Sequence, residues 1–265
     1  MCGICGCGQP HGHQGLDESA HAEEQESGHQ RRLQVELDLF SQNNRYAQAN
    51  RELFQRRNLL VLNLVSSPGS GKTALLTRTL QHQLDKVPLA VIEGDQQTSH
   101  DADRIRETGA EAVQLNTGRL CHLDAHMVGH AMEQLPHLEN GLLYIENVGN
   151  LVCPAGFDLG EAAKVVVLSV TEGDDKPLKY PDMFHAARLM VLNKVDLLPY
   201  VNFDVEACIE YARRINPEIE VITLSAQTGE GMENWLEWIE HRRQGQTAAR
   251  VAQLERELLV LKSQL

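Results

Sequence analysis

Basic residues are in short supply in this 265-residue chain: 24 Lys and Arg stand against 37 Asp and Glu, a formal charge of −13. A long-range field of that sign repels phosphate, which argues against a nonspecific grip on nucleic acid or on an anionic membrane. Long apolar runs are also lacking. No stretch approaches the roughly 18 uninterrupted apolar residues of a membrane span, and the opening MCGICGCGQPHGHQG has neither the basic start nor the apolar core of a signal peptide. The expectation is a cytoplasmic protein with no membrane partner. Lys, Arg and aromatic residues are missing altogether from residues 1–30, where Gly, His, Gln and Glu dominate. Such a segment cannot bury enough apolar surface to offset its ordering entropy, so a flexible, disordered tail is expected there.

The chain has six cysteines, unevenly placed. Cys2, Cys5 and Cys7 crowd the N-terminus, while Cys121, Cys153 and Cys208 are scattered. In a reducing compartment a tight thiol cluster reads as a ligand set rather than a disulfide framework. Three thiols, with the α-amino group as a fourth donor, suit a thiophilic ion in tetrahedral or square-planar geometry. His11, His13, His21 and His29 could hold further ions loosely.

After residue 30 the pattern changes. Residues 31–57 carry apolar positions at helical spacing without Gly or Pro, which predicts a leading helix. Next, β-branched runs near 59–65, 89–94, 112–115, 142–147, 164–170, 188–193 and 218–225 alternate with helical stretches near 72–85, 100–108, 122–134, 182–187, 204–214 and 230–242. Strand-then-helix alternation implies right-handed crossovers and a doubly wound, mostly parallel α/β sheet over residues 58–243. Such sheets bind ligands beyond the carboxyl ends of their strands.

The first strand runs into Ser66-Ser67-Pro68-Gly69-Ser70-Gly71-Lys72-Thr73, followed at once by a helix. Apart from Ser66 in the place of the first Gly, this is a P-loop. Small residues at Ser67, Gly69, Ser70 and Gly71 let backbone N–H groups converge on phosphate at a helix N-terminus; Lys72 reaches the outer phosphates and the Thr73 hydroxyl can ligate magnesium. Farther on, Asn193-Lys194-Val195-Asp196 ends an apolar strand. A carboxylate at Asp196 can accept two hydrogen bonds from guanine's Watson–Crick edge, while the Lys194 stem covers the base. Ser225 and Ala226, after the last strand, are placed to offer backbone N–H groups to the base carbonyl. Asp95 and Glu146, each at a strand end, would coordinate the magnesium or hold its waters. Each acid could equally cap the turn that follows it.

A second constellation lies elsewhere. Cys121-His122 opens a helical stretch in which His122, His126 and His130 recur every four residues, so one imidazole stripe is expected beside a thiol, with Cys153 as a further thiolate. This is either a borderline-soft metal site or a buried cysteine beside a solvated histidine face.

From about Arg31 to Glu240 the chain resembles the hydrogenase nickel-incorporation GTPases, metallochaperones among the dimerising P-loop GTPases, which also include the urease accessory and signal-recognition-particle GTPases. The likeness is dense at SSPGSGKT, EGDQQT, CHLDAHM, IENVGNLVCPAGFDLGE, VTEGDDKPLKYPDMF and NKVDLLPY. It implies that Ser66 is the family's own form of the loop, and that GTP is hydrolysed slowly to GDP. It also implies that Cys121, His122 and Cys153 build a zinc or nickel site at a homodimer interface, with His126 and His130 matching histidines that some members add. Cys2, Cys5 and Cys7 are similar to a high-affinity nickel site found in part of the family. The implied role is nickel delivery to the [NiFe]-hydrogenase large-subunit precursor together with a HypA-type accessory protein. Delivery to urease and nickel storage are the competing roles; a tail with only four histidines argues against storage. One feature departs from the family: residues 244–265 carry Val251, Leu254, Leu258, Leu261 and Leu265 in alternating steps of three and four. That is the seam of an amphipathic helix expected to pack on its own domain or on a partner.

Overall fold

The computed structural model describes residues 18–95, 100–118 and 120–263, with side chains described at Gln34 and from Leu37 onward. Cys2, Cys5, Cys7 and Leu265 lie outside the described residues, as do Gln96, Gln97 and Thr98 of the EGDQQT motif. The chain divides into two units. Residues up to Leu39 form one of them and carry the first part of the long helix α1 (Glu18–Arg56); Phe40–Leu265 form the other.

In the larger unit, seven strands make one sheet: β1 (Leu60–Ser66), β2 (Leu89–Asp95), β3 (Glu111–Asn116), β4 (Leu142–Gly149), β5 (Ala163–Ser169), β6 (Leu189–Asn193) and β7 (Glu220–Thr223). Their spatial order is β3-β2-β4-β1-β5-β6-β7, and every pairing is parallel. The helices are α2 (Lys72–Gln83), α3 (His100–Arg106), α4 (Ala125–Glu133), α5 (Lys176–Lys179), α6 (Pro181–Ala186), α7 (Val205–Ile215) and α8 (Met232–Ser263). The central strands are buried on both faces, which is why they read as continuous apolar runs. Along β1, Leu60, Leu62 and Leu64 face α2 and α8, where Leu75, Leu76, Leu80, Trp235 and Ile239 complete one core. Leu59 and Val61 turn the other way, toward Phe54 of α1 and Val128 and Met132 of α4. A third core, under β5 and β6, gathers Met183, Phe184, Cys208 and Ala212.

The doubly wound sheet is as expected, and the differences lie in the helices. Helix α1 starts at Glu18 rather than near residue 31, so residues 18–30 are helical where a disordered tail was expected. Ala, Glu and Gln predominate there, and their intrinsic helix propensity outweighs the lack of an apolar face. Helix α8 runs without a break through the boundary expected near residue 243, because HRRQGQTAAR contains no Pro and its helix formers carry the chain past Gly245. Helix α5 and the short 3-10 turns Cys153–Ala155 and Val195–Tyr200 went unforeseen. Runs of three to six residues carry too little periodicity to be seen. Among the described residues no helix is long and apolar enough to cross a membrane.

Candidate functional site

The loop from β1 to α2 turns through left-handed conformations at Gly69 (φ 77°) and Gly71 (φ 92°). A Cβ at Gly71 would lie 2.5 Å from Asn193 Nδ2, so this position needs glycine for both its dihedral and its space. Lys72 and Thr73, the first two residues of α2, converge on one acid. Lys72 Nζ lies 3.1 Å from Glu146 Oε1, and Thr73 Oγ1 donates to the same oxygen at 2.5 Å. Glu146 is 1% exposed on the central strand β4, and its Oε2 has no hydrogen-bond partner. Beside it in register on β2 sits Glu93, equally buried. Burial, then the charges of Glu146, Asp95 and Asp101, push the Glu93 carboxyl up to about 8 against the opposing pull of Lys72. Glu93 is therefore neutral at pH 7, which makes the crowding of acids tolerable. Asp95 ends β2 and, with Asp101, Arg104 and Gly149, lines a cavity of about 460 Å³ over the P-loop.

Asn193, at the end of β6, clamps two loops together. Its Nδ2 donates to Ser70 O at 3.0 Å, and its Oδ1 accepts from Lys194 N at 2.8 Å and Ala226 N at 3.0 Å. Lys194 takes a left-handed conformation (φ 64°) and its ammonium donates to Gly69 O at 2.7 Å. Ala226 N–H is thus already engaged, so a base carbonyl would have to share it. Ser225 Oγ accepts from Thr228 N, closing the loop on itself. Asp196 presents a buried Oδ1 without a partner, an acceptor waiting for donors.

Three supporting residues carried no sequence signal. Arg78 donates to the carbonyls of Ala226, Gln227 and Thr228 and holds the second loop against α2. Lys176 donates to Ser67 Oγ at 3.1 Å and pairs with Glu172 at 3.3 Å, at the mouth of the P-loop. Lys164 donates to the carbonyls of Pro154, Ala155 and Phe157 and holds the loop that carries Cys153. The contacts that tie them to the site run to backbone carbonyls or, for Lys176, to Ser67 far upstream; the local pairs Lys176–Glu172 and Lys164–Glu161 have ordinary surface-helix spacing and do not point to it. Glu93 was open to sequence reading, as a second acid on the strand that ends in Asp95.

Beyond the end of β4 the chain reaches the thiols. Gly149 packs against Pro68 of the P-loop, where a Cβ would come within 3.2 Å. Asn150 Nδ2 donates to Cys121 O at 3.3 Å, and Cys153 begins the 3-10 turn. The ligand atoms of Cys121, His122 and Cys153 all lie within 4.8 Å of one another, with the two sulfurs 2.6 Å apart. Burial first, then the neighbouring Cys153, raises the Cys121 thiol to about 11. Burial also lowers the His122 imidazole against the pull of Asp124, keeping it in the neutral form that ligates metal. The ring lies tilted against Phe157, with centroids 3.9 Å apart and planes at 41°.

The expected stripe of three histidines does not form. Asp124 caps α4 by accepting from Met127 N, so the helix starts at Ala125 and His122 stays in the preceding loop. His126 and His130 pair with each other instead, Nε2 to Nε2 at 3.1 Å, outside the cluster of Cys121, His122 and Cys153.

Fold and site together define a P-loop nucleotide-binding protein with a thiol–imidazole cluster one strand's end away from the phosphate cradle. The CobW/HypB/UreG nucleotide-binding domain family matches residues 60–223. The chain is 65% identical over 235 residues to the hydrogenase maturation factor HypB of Azotobacter vinelandii, covering 89% of this chain and 78% of that one. It is 66% identical over 213 residues to the Escherichia coli K12 protein of the same name, covering 80% and 73%. The crystal structure of HypB from Archaeoglobus fulgidus matches with a TM-score of 0.72 at 40% identity, over 77% of this chain and 99% of that one. That of Helicobacter pylori HypB, in complex with nickel, matches with a TM-score of 0.73 at 39% identity, over 77% and 96%. The chain therefore belongs to the CobW/HypB/UreG family and, within it, to the hydrogenase maturation factors of the HypB type.

Proposed function

We propose that this protein hydrolyses GTP to GDP and phosphate, slowly and as a regulatory step, and couples that cycle to delivery of nickel into the [NiFe]-hydrogenase large-subunit precursor. The observation that carries this reading is the continuity of β4. Glu146 meets Lys72 and Thr73 of the P-loop, and the same strand leads through Gly149 and Asn150 to Cys153. Lys72, tethered to Glu146 here, is the cation that reaches the outer phosphate oxygens when nucleotide enters. The backbone at Ser67, Gly69, Ser70 and Gly71 cradles the phosphates, and Asp196 selects guanine while Asn193, Lys194, Ser225 and Ala226 shape the base pocket. The unpartnered Glu146 Oε2, among oxygen donors, fits a hard cation. Thr73, Asp95 and Glu146 would hold magnesium directly or through its waters, and magnesium when bound supplies positive charge at the transferring phosphate.

Nickel is the cargo. Cys121, His122 and Cys153 offer it, or zinc, a borderline-soft donor set, as Cys2, Cys5 and Cys7 do at the N-terminus. His126 and His130 stand on α4 as a further imidazole pair for the same ions. A cytoplasmic homodimer linked to nucleotide or metal, a HypA-type accessory protein and the hydrogenase precursor complete the proposal. Support for nickel comes from the relative solved with it. Delivery to urease is the second reading, because the Helicobacter pylori J99 relative, 40% identical over 207 residues, is named a hydrogenase/urease maturation factor.

The test is Lys72→Ala in the full chain. Hydrolysis and hydrogenase maturation should both be lost, while nickel binding at Cys2, Cys5 and Cys7 persists. Maturation that survives the substitution sinks the GTPase reading. Maturation of urease but not hydrogenase by the wild-type protein would favour the second reading.

A further inference from the structure

The first turns of α8 are fastened to the domain. Trp235 is buried and its Nε1 donates to Thr79 Oγ1 at 2.8 Å; Trp238 stacks on Trp235 and donates to Glu220 Oε2 at 2.8 Å. Farther along, Gln246, Arg250 and Gln253 face the domain across a cavity of about 480 Å³, with Asn58 Nδ2 reaching Thr247 Oγ1 at 3.4 Å. The apolar seam points elsewhere. Val251 is 49% exposed, Leu254 46%, Leu258 51% and Leu261 60%, so intrachain packing does not account for it.

Steps of three, four and three place Val251 and Leu258 at heptad position a, and Leu254 and Leu261 at d. The flanking positions then follow. Arg250 and Glu257 fall at g, and Glu255 and Lys262 at e. In a parallel pair of identical helices each g residue faces the e residue five positions on in the partner. Glu257 with the partner copy's Lys262, both outside the intrachain cavity, carries opposite charge; Arg250, which also lines that cavity, is opposite in sign to the partner copy's Glu255. We propose that α8 beyond Arg250 is a parallel two-stranded coiled coil with a second copy of this chain, a contact that needs neither nucleotide nor metal. Roughly two heptads are marginal alone. Here the folded domain nucleates the helix, and any pairing of the nucleotide domains would raise the local concentration of the second strand.

Sedimentation equilibrium of the full chain, with GDP and a metal chelator, tests this. Wild-type protein should dimerise at tens of micromolar, and Leu254→Lys with Leu258→Lys should weaken the dimer at least tenfold. GDP binding serves as the check that the variant is folded. Glu257→Lys should weaken it too, and adding Lys262→Glu should restore it. In an antiparallel pair, g faces g and e faces e, so the double charge swap would not rescue. A wild-type chain that stays monomeric assigns the seam to another protein and overturns the proposal. A dimer indifferent to the leucine substitutions overturns it as well, and failure of the double swap to rescue overturns the parallel arrangement.

Discussion

At the scale of single residues, burial sets the chemistry of the nucleotide site. Glu93 holds a proton in the native state up to about pH 8, whereas in the unfolded chain it ionises near 4.5. The native state binds the extra proton between those values, so stability from this group is full below pH 4.5, falls as pH rises through the window, and is gone above 8. Glu93→Gln should therefore leave the melting temperature of the nucleotide-free protein nearly unchanged at pH 4.5 and raise it relative to wild type increasingly up to pH 8. Thermal unfolding across that range, in chelator, decides it; a constant difference would mean that Glu93 is ionised throughout. Asp196 poses the complementary case, an acceptor buried without a donor. Two charged hydrogen bonds to guanine contribute roughly 1.5–3 kcal/mol each. Asp196→Asn should thus weaken GTP at least about a hundredfold in a fluorescent-nucleotide titration. Xanthosine triphosphate, whose 2-oxo group accepts where guanine donates, should gain. Unchanged GTP affinity would remove Asp196 from the base pocket.

At the scale of elements, the loop between β4 and β5 is where the thiol cluster meets the fold. Lys164, 7% exposed at the start of β5, donates to Pro154 O at 2.8 Å, Ala155 O at 3.2 Å and Phe157 O at 3.1 Å. Its ammonium lies 3.9 Å from Glu161, which in turn accepts from Asn63 Nδ2 and Leu159 N. One buried cation thus organises the segment that presents Cys153 and the Phe157 ring under His122. Lys164→Met keeps the apolar stem but strands three carbonyls and a carboxylate, so a loss of about 3–5 kcal/mol is expected. Melting should drop by several degrees and metal affinity at the thiol cluster should fall with it. Pairing the change with Glu161→Gln should recover part of the stability. If Lys164→Met melts like wild type, the clamp is not what holds the loop. None of this was legible in the sequence, where Lys164 reads as the first residue of an apolar strand.

At the scale of the whole molecule, strand β4 runs from the P-loop acid Glu146 toward the thiol cluster, and if both proposed sites bind their ligands, linkage makes any coupling between them reciprocal. If a nonhydrolysable GTP analogue changes nickel affinity at Cys121, His122 and Cys153 by some factor, nickel must change the analogue's affinity by the same factor. Calorimetric titration of each ligand with the other present should find the two factors equal. Cys153→Ala should abolish the coupling while leaving nucleotide binding intact. Two unequal factors would point to an additional equilibrium such as assembly, and no coupling at all would leave a nucleotide site and a metal site that merely share a chain.

The parallel doubly wound sheet, the phosphate loop and the Asn-Lys-x-Asp turn after β6 follow from local sequence, because strand periodicity, glycine at left-handed turns and a lysine at a helix start act over a few neighbouring residues. The placement of Asp95 was legible for the same reason, as an acid at the carboxyl end of an apolar strand, whereas Glu146, expected at a strand end, lies three residues inside β4. Tertiary structure decided the rest. It placed Glu93 against Glu146 through strand register, gave Asn193 both loops to hold, recruited Arg78 and Lys164 to backbone carbonyls, and brought Cys153 to Cys121 across the sheet's end. It also broke the expected histidine stripe, because the Asp124 cap fixes where α4 begins. Protonation state and ligand geometry depend on burial and on groups remote in sequence, and only the packed chain brings those together.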